Sequence, residues 1–575
     1  MSRLFRLPTV GLAFAVAVVA CIFAISLFWR LQLASEVTGD RTEMVTAQLY
    51  AWLRNWVHDG AFSIHFTMPY RPLSIESFDL RHREELYRSY PPGVLVPPYL
   101  LFLLYKQAPI TLLTGYGLAC HAIAVMSVVV AVFFVTVRAA TFVATSRAIG
   151  PLLSATLLAI SAGIFMTVAS GPSYFFTRVY VFDTAVLPWF GLSIALEAIY
   201  TANFNSPRIA RVALVLQFLV FTVGLWTDWL FVVLFFVWTA LRMAEPLFGI
   251  RGAISARRSV RLGGGVFLAN LMLIIAWRVQ AGIDQSDNYG IVDEIIRTVD
   301  RFVYRSGVAD NSMTMAAFLD RIHLYLASYF AINTAQFLKI FIASALSFFA
   351  AVILTRKFAR SALLWPLTSV VTLSTAPVVV HLALLPQHAF YHDFTILKFA
   401  FPLALLVLTL APAAAAVLFT KMSEKYLRFS PAICETICTV LICGAAISGI
   451  YFSMTRYDAP QRHFPPVQGG IGVLGTIIER NVEYDDVVFS PQIDIQRMTF
   501  EAGFSRKLVY RSQDVDADLP NVMSGICRPF NLVIVSDGSE PPKRATPPSE
   551  ILRDSGLVFY RWRQLPAVGA GCSGK

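Results

Sequence analysis

Apolar residues run along this chain in blocks long enough to cross a bilayer, and polar residues gather between them. A span needs roughly 20 mostly apolar residues. Blocks of that kind lie at 8–29, 111–137, 148–169, 179–201, 209–227, 229–248, 263–282, 335–355, 361–382, 394–419 and 431–453. The stretch 91–106, "PPGVLVPPYLLFLLYK", is too short and too interrupted by proline to join them. It reads as an interfacial or re-entrant helix. Met44, Ala47, Leu49, Trp52, Leu53 and Trp56 recur at helical spacing, which predicts an amphipathic helix early in the loop 30–110. The loop 283–334 mixes acids and bases and is also predicted helical. Past residue 455 the pattern changes to a helix, "IGVLGTIIERN", and strands at "DDVVFS", "KLVYRS", "FNLVIVSDG" and "GLVFYRWRQ".

The predicted fold is therefore an α-helical polytopic membrane protein with about eleven transmembrane helices. Residues 1–454 form the membrane module, with interfacial helices in the outer loop 30–110, and residues 455–575 form a small soluble α/β domain. The block 8–29 reads as a retained anchor. It is too long for the core of a signal peptide and no small-x-small site precedes "SEVTGD".

Composition excludes a soluble chain. Hydrophobic residues make up 56% and charged residues 14%, with mean hydropathy +0.62, whereas soluble domains carry about 25% charged residues. The formal charge of +11 does not call for a nucleic-acid partner, because much of it is topological. If Arg3 and Arg6 are cytoplasmic, then "VRAATFVATSR", "SPRIAR", "RMAEPLFGIRGAISARRSVR", "RKFAR" and "KMSEKYLR" are cytoplasmic as well, each with at least two basic residues. The short loops opposite, "GPSYFFTR", "LWTDW" and "LPQHAFYHDF", carry one among them. An odd number of spans leaves the C-terminal domain outside. Cys21, Cys120, Cys434, Cys438 and Cys443 fall in spans and read as small buried residues. Cys527 and Cys572 fall in the outer domain, where an oxidising compartment would allow them to pair.

With that topology, the polar clusters share one face. Asp40 and Glu43 lie there, with "YRSYPPG" (Arg88, Tyr90), "SYFFTRVYVFD" (Tyr174, Arg178, Asp183), "GLWTDW" (Trp226, Asp228, Trp229) and "HAFYHDF" (His388, His392, Asp393). Ionisable residues at membrane depth are costly and usually face a polar cavity. Each has a plainer reading beside that one. Asp40 and Glu43 suit a helix N-terminus, Asp228 suits a helix cap, and Arg178 suits snorkelling to lipid headgroups. His388 and His392, four apart, suit either two metal ligands on one helical face or polar contacts to a substrate. A divalent metal stays open, and no other cofactor is indicated.

An anchor span, an outer loop opening with "TGDRTEMVTAQLYAWLRN", the "SYPPG" segment before an interfacial helix, about eleven spans and an outer α/β tail together resemble the GT-C glycosyltransferases. These use polyprenyl-phosphate sugars, and they include the protein O-mannosyltransferases and the aminoarabinose transferases of lipid A. The resemblance covers most of residues 1–455 in architecture. It implies a catalytic acid just after the first span, which Asp40 matches best and Glu43 second. Here "Asp-Arg-Thr-Glu" replaces the adjacent acids of those relatives, and "YPPG" stands where they carry a "Lys-Pro-Pro-Leu"-like segment.

The implied reaction is transfer, with inversion, of a hexose or pentose from a polyprenyl-phosphate donor to an envelope glycan or lipid on the outer face of a bacterial inner membrane. Such chemistry needs a base for the acceptor hydroxyl, cations for the departing phosphate and an apolar groove. Arg88, Arg178, His388 and His392 are candidates for the phosphate. Tyr90, Tyr174, Asp228 and Asp393 are candidates for the rest of the substrate pocket, and Trp52, Trp56, Trp226 and Trp229 for the sugar or the lipid groove. An O-antigen-type polymerase or ligase and a lipid-linked sugar transporter are the alternatives. The first usually centres on a large outer loop late in the chain, and the second on a midplane site with broken helices.

Overall fold

Inside a bilayer, helices satisfy their own backbone polar groups, and the long apolar blocks form helices. The computed structural model describes residues 6–34, 41–68, 87–105, 110–143, 149–178, 180–203, 206–248, 250, 255–284, 289–307, 314–330, 365–405, 430–455, 481–483, 486–490, 509–511, 514–522, 529–536, 544, 546–554 and 556–566. The predicted span 335–355 and both Cys527 and Cys572 lie outside these residues.

In chain order the first helices are α1 (Arg6–Ala34), α2 (Arg41–Asp59), α3 (Val96–Leu104), α4 (Ile110–Val143), α5 (Ile149–Val168) and α6 (Ser170–Arg178). They are followed by α7 (Phe182–Ala202), α8 (Pro207–Thr227), α9 (Leu230–Ala244), α10 (Ala256–Ile283), α11 (Ile291–Arg305) and α12 (Met315–Phe330). The membrane module closes with α13 (Trp365–Leu384), α14 (Pro386–Tyr391), a 3-10 segment Asp393–Phe399, α15 (Ala400–Leu405) and α16 (Pro431–Thr455). Among the described residues, six helices are long and apolar enough to span: Thr9–Phe28, Leu112–Arg138, Phe182–Ala202, Pro207–Thr227, Ala256–Ile283 and Trp365–Leu384. A seventh candidate, Leu152–Val168 with Gly171–Thr177, bends by 55° at its break. Helix α3 has 9 residues, a length of about 14 Å at 1.5 Å per residue, so it cannot cross.

Helix α4 packs on α5 and α7, and α7 on α8. A second apolar cluster holds α2 and α3 together through Leu49, Trp52, Leu53, Trp56, Tyr90, Val94 and Phe102. Trp52 and Trp56 are at most 1% exposed, and Trp56 Nε1 donates to the Thr67 carbonyl at 2.6 Å. These two indoles therefore build the core under the outer loop. Gly93, in the 3-10 turn Pro92–Val94, lies against the carbonyl of Trp226, where a Cβ would collide with that backbone. That close approach is the physical role of the glycine in "YPPG".

The far end of the bundle carries its own buried ion cluster. Arg242 pairs with Glu197 and Glu245 and lies 4.3 Å from the Tyr200 ring centroid. It ties α9 to α7.

The C-terminal domain contains β1 (Asp486–Ser490), β2 (Val509–Arg511), helix α17 (Val515–Val522), β3 (Phe530–Ser536), β4 (Glu550–Asp554) and β5 (Leu557–Leu565). They form one five-stranded sheet ordered β2-β1-β3-β5-β4. Strand β1 runs parallel to β2 and β3, and β5 runs antiparallel to β3 and β4. Strand β3 is buried on both faces, as a central strand with a near-continuous apolar run should be. The edge strand β4, joined to β5 through Gly556 at φ 84°, was not among the strands read from sequence. Its "EILRD" alternates half-buried and exposed residues and has few β-branched or aromatic groups.

Candidate functional site

The break between α8 and α9 falls at Asp228. Its backbone is extended, its N–H donates to Gly224 O at 2.9 Å, and its Oδ1 accepts from Leu230 N–H at 2.7 Å. The side chain thus opens α9 as a capping group does. Its other oxygen, Oδ2, accepts from Lys398 Nζ at 3.1 Å, and the same ammonium stands 2.9 Å from Asp183 Oδ1 in the first turn of α7. His381, near the end of α13, places Nε2 3.7 Å from Asp228 Oδ1. All four groups are at most 3% exposed. Buried charges persist when paired in this way.

Next to this cluster lies an aromatic rim. Tyr90 stacks on Phe182 with centroids 4.3 Å apart, and its hydroxyl shares a 3.1 Å hydrogen bond with His388 Nε2. The His388 and His392 rings are 4.6 Å apart. Helix α14 ends at Tyr391 and His392 caps it in an extended conformation, so the two imidazoles straddle a helix end instead of lining one helical face. Burial pushes His392 down to about 4, with Arg305 adding to it. Burial, then His392 and Arg305, also hold His388 well below the ordinary imidazole value. Both rings are neutral at pH 7 and act as hydrogen-bonding groups rather than as fixed cations. Burial likewise raises the Tyr90 hydroxyl well above its usual range, so it stays protonated.

The cations come from elsewhere. Arg301 Nε donates to Ser89 Oγ at 3.1 Å, and Arg305 stands 5.1 Å from the Tyr90 ring centroid and hydrogen-bonds the Tyr87 and Tyr90 hydroxyls. Arg278, on α10, meets Glu294 at 2.5 Å. Glu294 also accepts from the Tyr289 hydroxyl at 2.6 Å and from Thr298 Oγ1 at 3.2 Å, and lies 3.9 Å from Arg88. Arg278, Arg301, Arg305 and His381 line a cavity of about 250 Å³ together with Ser89, Thr298, Trp229, Val232, Val233, Phe302, Leu384 and Leu385. Trp229 is fixed there by a 2.8 Å bond from Nε1 to the Ser89 carbonyl. Guanidinium forks aimed into an apolar pocket suit an anionic head on a hydrocarbon tail.

The positions named from sequence divide clearly. Tyr90, His388, His392 and Asp228 come together at one end of the bundle. Arg88 lies beside them, against Glu294 and 4.8 Å from the Tyr289 ring centroid. Tyr174 is in the apolar core, edge-on to Phe175. Asp40 lies outside the described residues. Glu43 is in the first turn of α2, Arg178 ends α6 and Asp393 begins the 3-10 segment, while the side chains of these three lie outside the description. Among the described residues no three His, Cys, Asp or Glu side chains gather as a metal-binding group.

Sequence reasoning missed Lys398, His381, Arg278, Arg301 and Arg305. A lysine within the predicted span 394–419 was a signal by itself, since intramembrane ionisable groups seek partners. The arginines were signalled by Glu294, Thr298, Arg301 and Arg305, which repeat at helical spacing on one face of α11. The opposite face carries Val292, Ile295, Ile296 and Val299, each more than half exposed.

Solved structures of membrane transferases share the fold of this chain. ArnT from Cupriavidus metallidurans bound to undecaprenyl phosphate is similar, with TM-score 0.51 and 12% identity over 96% of this chain and 99% of that one. The oligosaccharyltransferase of Archaeoglobus fulgidus in the apo form gives TM-score 0.50 at 10% identity, over 91% of this chain and 69% of that one. The same transferase tethered to an acceptor peptide containing the NVT sequon gives 0.50 at 9% identity, over 90% and 69%. At such identities the likeness establishes the fold alone. No protein-family profile and no curated protein sequence matches the chain.

Proposed function

We propose that this protein is a membrane glycosyltransferase that moves a sugar from a polyprenyl-phosphate donor to an extracytoplasmic glycan, lipid or envelope polymer. The observation that carries this reading is the cavity in which Arg278, Arg301 and Arg305 meet a wall of Val, Leu, Phe and Trp side chains at the end of the membrane helices. A sugar nucleotide would not need the apolar wall, and a simple lipid site would not need the arginines. The fold shared with ArnT bound to undecaprenyl phosphate supports the same class of donor.

In the proposed reaction the acceptor oxygen attacks the anomeric carbon as the bond from that carbon to the phosphate oxygen breaks. The acceptor proton passes to a carboxylate and the sugar inverts. The guanidinium groups receive the charge that builds on the leaving phosphate. Asp40, with Glu43 as second candidate, is assigned as the base. Helix α2 begins at Arg41, and one turn on, Thr46 Oγ1 accepts from Tyr180 N–H at 2.9 Å. That bond holds the start of α2 against the start of α7, where Asp183 and the Lys398 cluster lie. Tyr90, His388 and His392 offer hydrogen bonds to the sugar, Asp393 and Arg178 remain assigned to the surroundings of the substrate, and Tyr174 packs in the apolar core. The orientation proposed is N-terminus inside and C-terminal domain outside a bacterial inner membrane.

The test is release of free polyprenyl phosphate by the purified protein from a panel of polyprenyl-phosphate sugars. Release with at least one donor is expected, and Asp40→Asn should lower it by roughly 10²–10⁴-fold while donor binding survives. Full activity in both Asp40→Asn and Glu43→Gln would remove the assignment of the base. No release from any donor would remove the enzyme reading. Reporter fusions after Arg258 and Lys575 should fall on opposite sides of the membrane.

A further inference from the structure

His381 has no place in the scheme above, yet it lines the arginine cavity and is 3% exposed. Its Nε2 makes no hydrogen bond among the described residues. Behind it runs a buried line of charge: Asp228 at 3.7 Å, then Lys398, then Asp183. Two carboxylates and one ammonium leave that line one formal negative charge in excess. On the cavity side, His381 faces Arg305 of α11, with Arg278 and Arg301 on the same walls, and the His388 imidazole of α14 lies within its field. The ring therefore stands between a carboxylate cluster short of one positive charge and an array of guanidiniums whose own field opposes a further cation.

We infer that His381 takes up a proton when a lipid-linked phosphate enters the cavity, and so serves as a charged hydrogen-bond donor to that phosphate. The inference rests on the reading of the cavity as a polyprenyl-phosphate site. An anion placed among Arg278, Arg301 and Arg305 offsets their positive charge, so a further cation on the same cavity wall meets less repulsion. The resulting imidazolium balances the excess carboxylate behind it and meets the phosphate with a charge-assisted bond. Polyprenyl phosphate is also the leaving group of the proposed transfer. The same residue would then bind it more tightly as its negative charge grows, which is what an interaction specific to the transition state requires. The proton comes from solvent and no covalent bond changes.

The test is binding, without turnover. Titration of the purified protein in detergent with a polyprenyl monophosphate, in buffers of different ionisation heat, reads the number of protons taken up. Wild type should take up about one proton more than His381→Gln, and its affinity should fall up to about tenfold more per pH unit as pH rises through the raised imidazole pKa. The ionisation of the phosphate itself is common to both proteins and cancels in that difference. Inorganic phosphate in place of the lipid is the second arm, and an uptake difference seen only with inorganic phosphate would overturn the lipid assignment. Equal uptake and equal pH slopes in wild type and His381→Gln would overturn the inference while leaving the glycosyltransferase reading intact. Failure of wild type to bind polyprenyl phosphate at any pH would overturn both. If His381→Gln gives no monodisperse protein, His381→Asn supplies the comparison.

Discussion

Lys398 Nζ lies 2.9 Å from Asp183 Oδ1 and 3.1 Å from Asp228 Oδ2, and no member of that trio is more than 1% exposed. One ammonium thereby joins the start of α7 to the break between α8 and α9. Lys398→Met should leave two carboxylates facing each other in a dry interior. Removing one partner of a buried ion pair costs about 3–5 kcal/mol, so the melting temperature in detergent should fall by several degrees. An unchanged melting temperature would mean that the carboxylates do not depend on this lysine.

Arg301 and Arg305 approach the cavity from α11. A charge-assisted hydrogen bond to an anion contributes about 1.5–3 kcal/mol, so Arg301→Gln should weaken binding of polyprenyl phosphate roughly 10- to 150-fold. Arg563→Gln, on the surface of the C-terminal sheet, should leave that affinity unchanged. Equal losses in both variants would point to bulk charge rather than to the cavity.

Gly93 and Gly264 form a paired test of packing. A Cβ at 93 meets the Trp226 backbone, whereas one at 264 meets nothing within 4 Å. Gly93→Ala should cost about 1–3 kcal/mol, as overpacking does, and should lower donor affinity by displacing Ser89 and Tyr90. Gly264→Ala should be neutral or slightly stabilising, because alanine favours helix over glycine. Thermal melts of the two variants in the same detergent separate these outcomes.

The histidine rim predicts how stability follows pH. His392 titrates at about 4 in the folded protein against 6.5 for the unfolded chain. Between those values the unfolded state binds more protons, so stability rises with pH there. The contribution is complete above about 6.5 and is lost as pH falls toward 4, with a slope approaching 1.4 kcal/mol per pH unit. His392→Gln should flatten the melting temperature over that window. A variant that keeps the wild-type slope would show that the ring is not buried in the neutral form.

The six described helices long enough to span were legible because hydropathy reads them directly. Tyr90, Asp228, His388 and His392 stood out as polar residues beside apolar blocks, and the structure brings them together. Lys398 stood out as a charge inside the apolar run "TILKFAF", but its partners Asp183 and Asp228 lie far away in sequence and only the fold pairs them. The arginines of α11 were hidden because a helix with acids, bases and aliphatics in rotation looks like an ordinary solvated one until its two faces are separated. Trp52 and Trp56 suggested contact with ligand because aromatic residues gather near membrane surfaces, and packing shows that both are buried. Strand β4 has too little β-forming character to be read without its partner β5.

Helix α11 turns its aliphatic side outward and its arginines inward. An aliphatic face of this kind suits the hydrocarbon boundary of a bilayer, and that boundary would then set the resting depth of the helix. A thinner or thicker membrane would shift that boundary, and the arginine wall would move with it. Two preparations of the same chain, identical in every side chain, should therefore differ in how readily they capture phosphate according to the acyl length of the lipids around them.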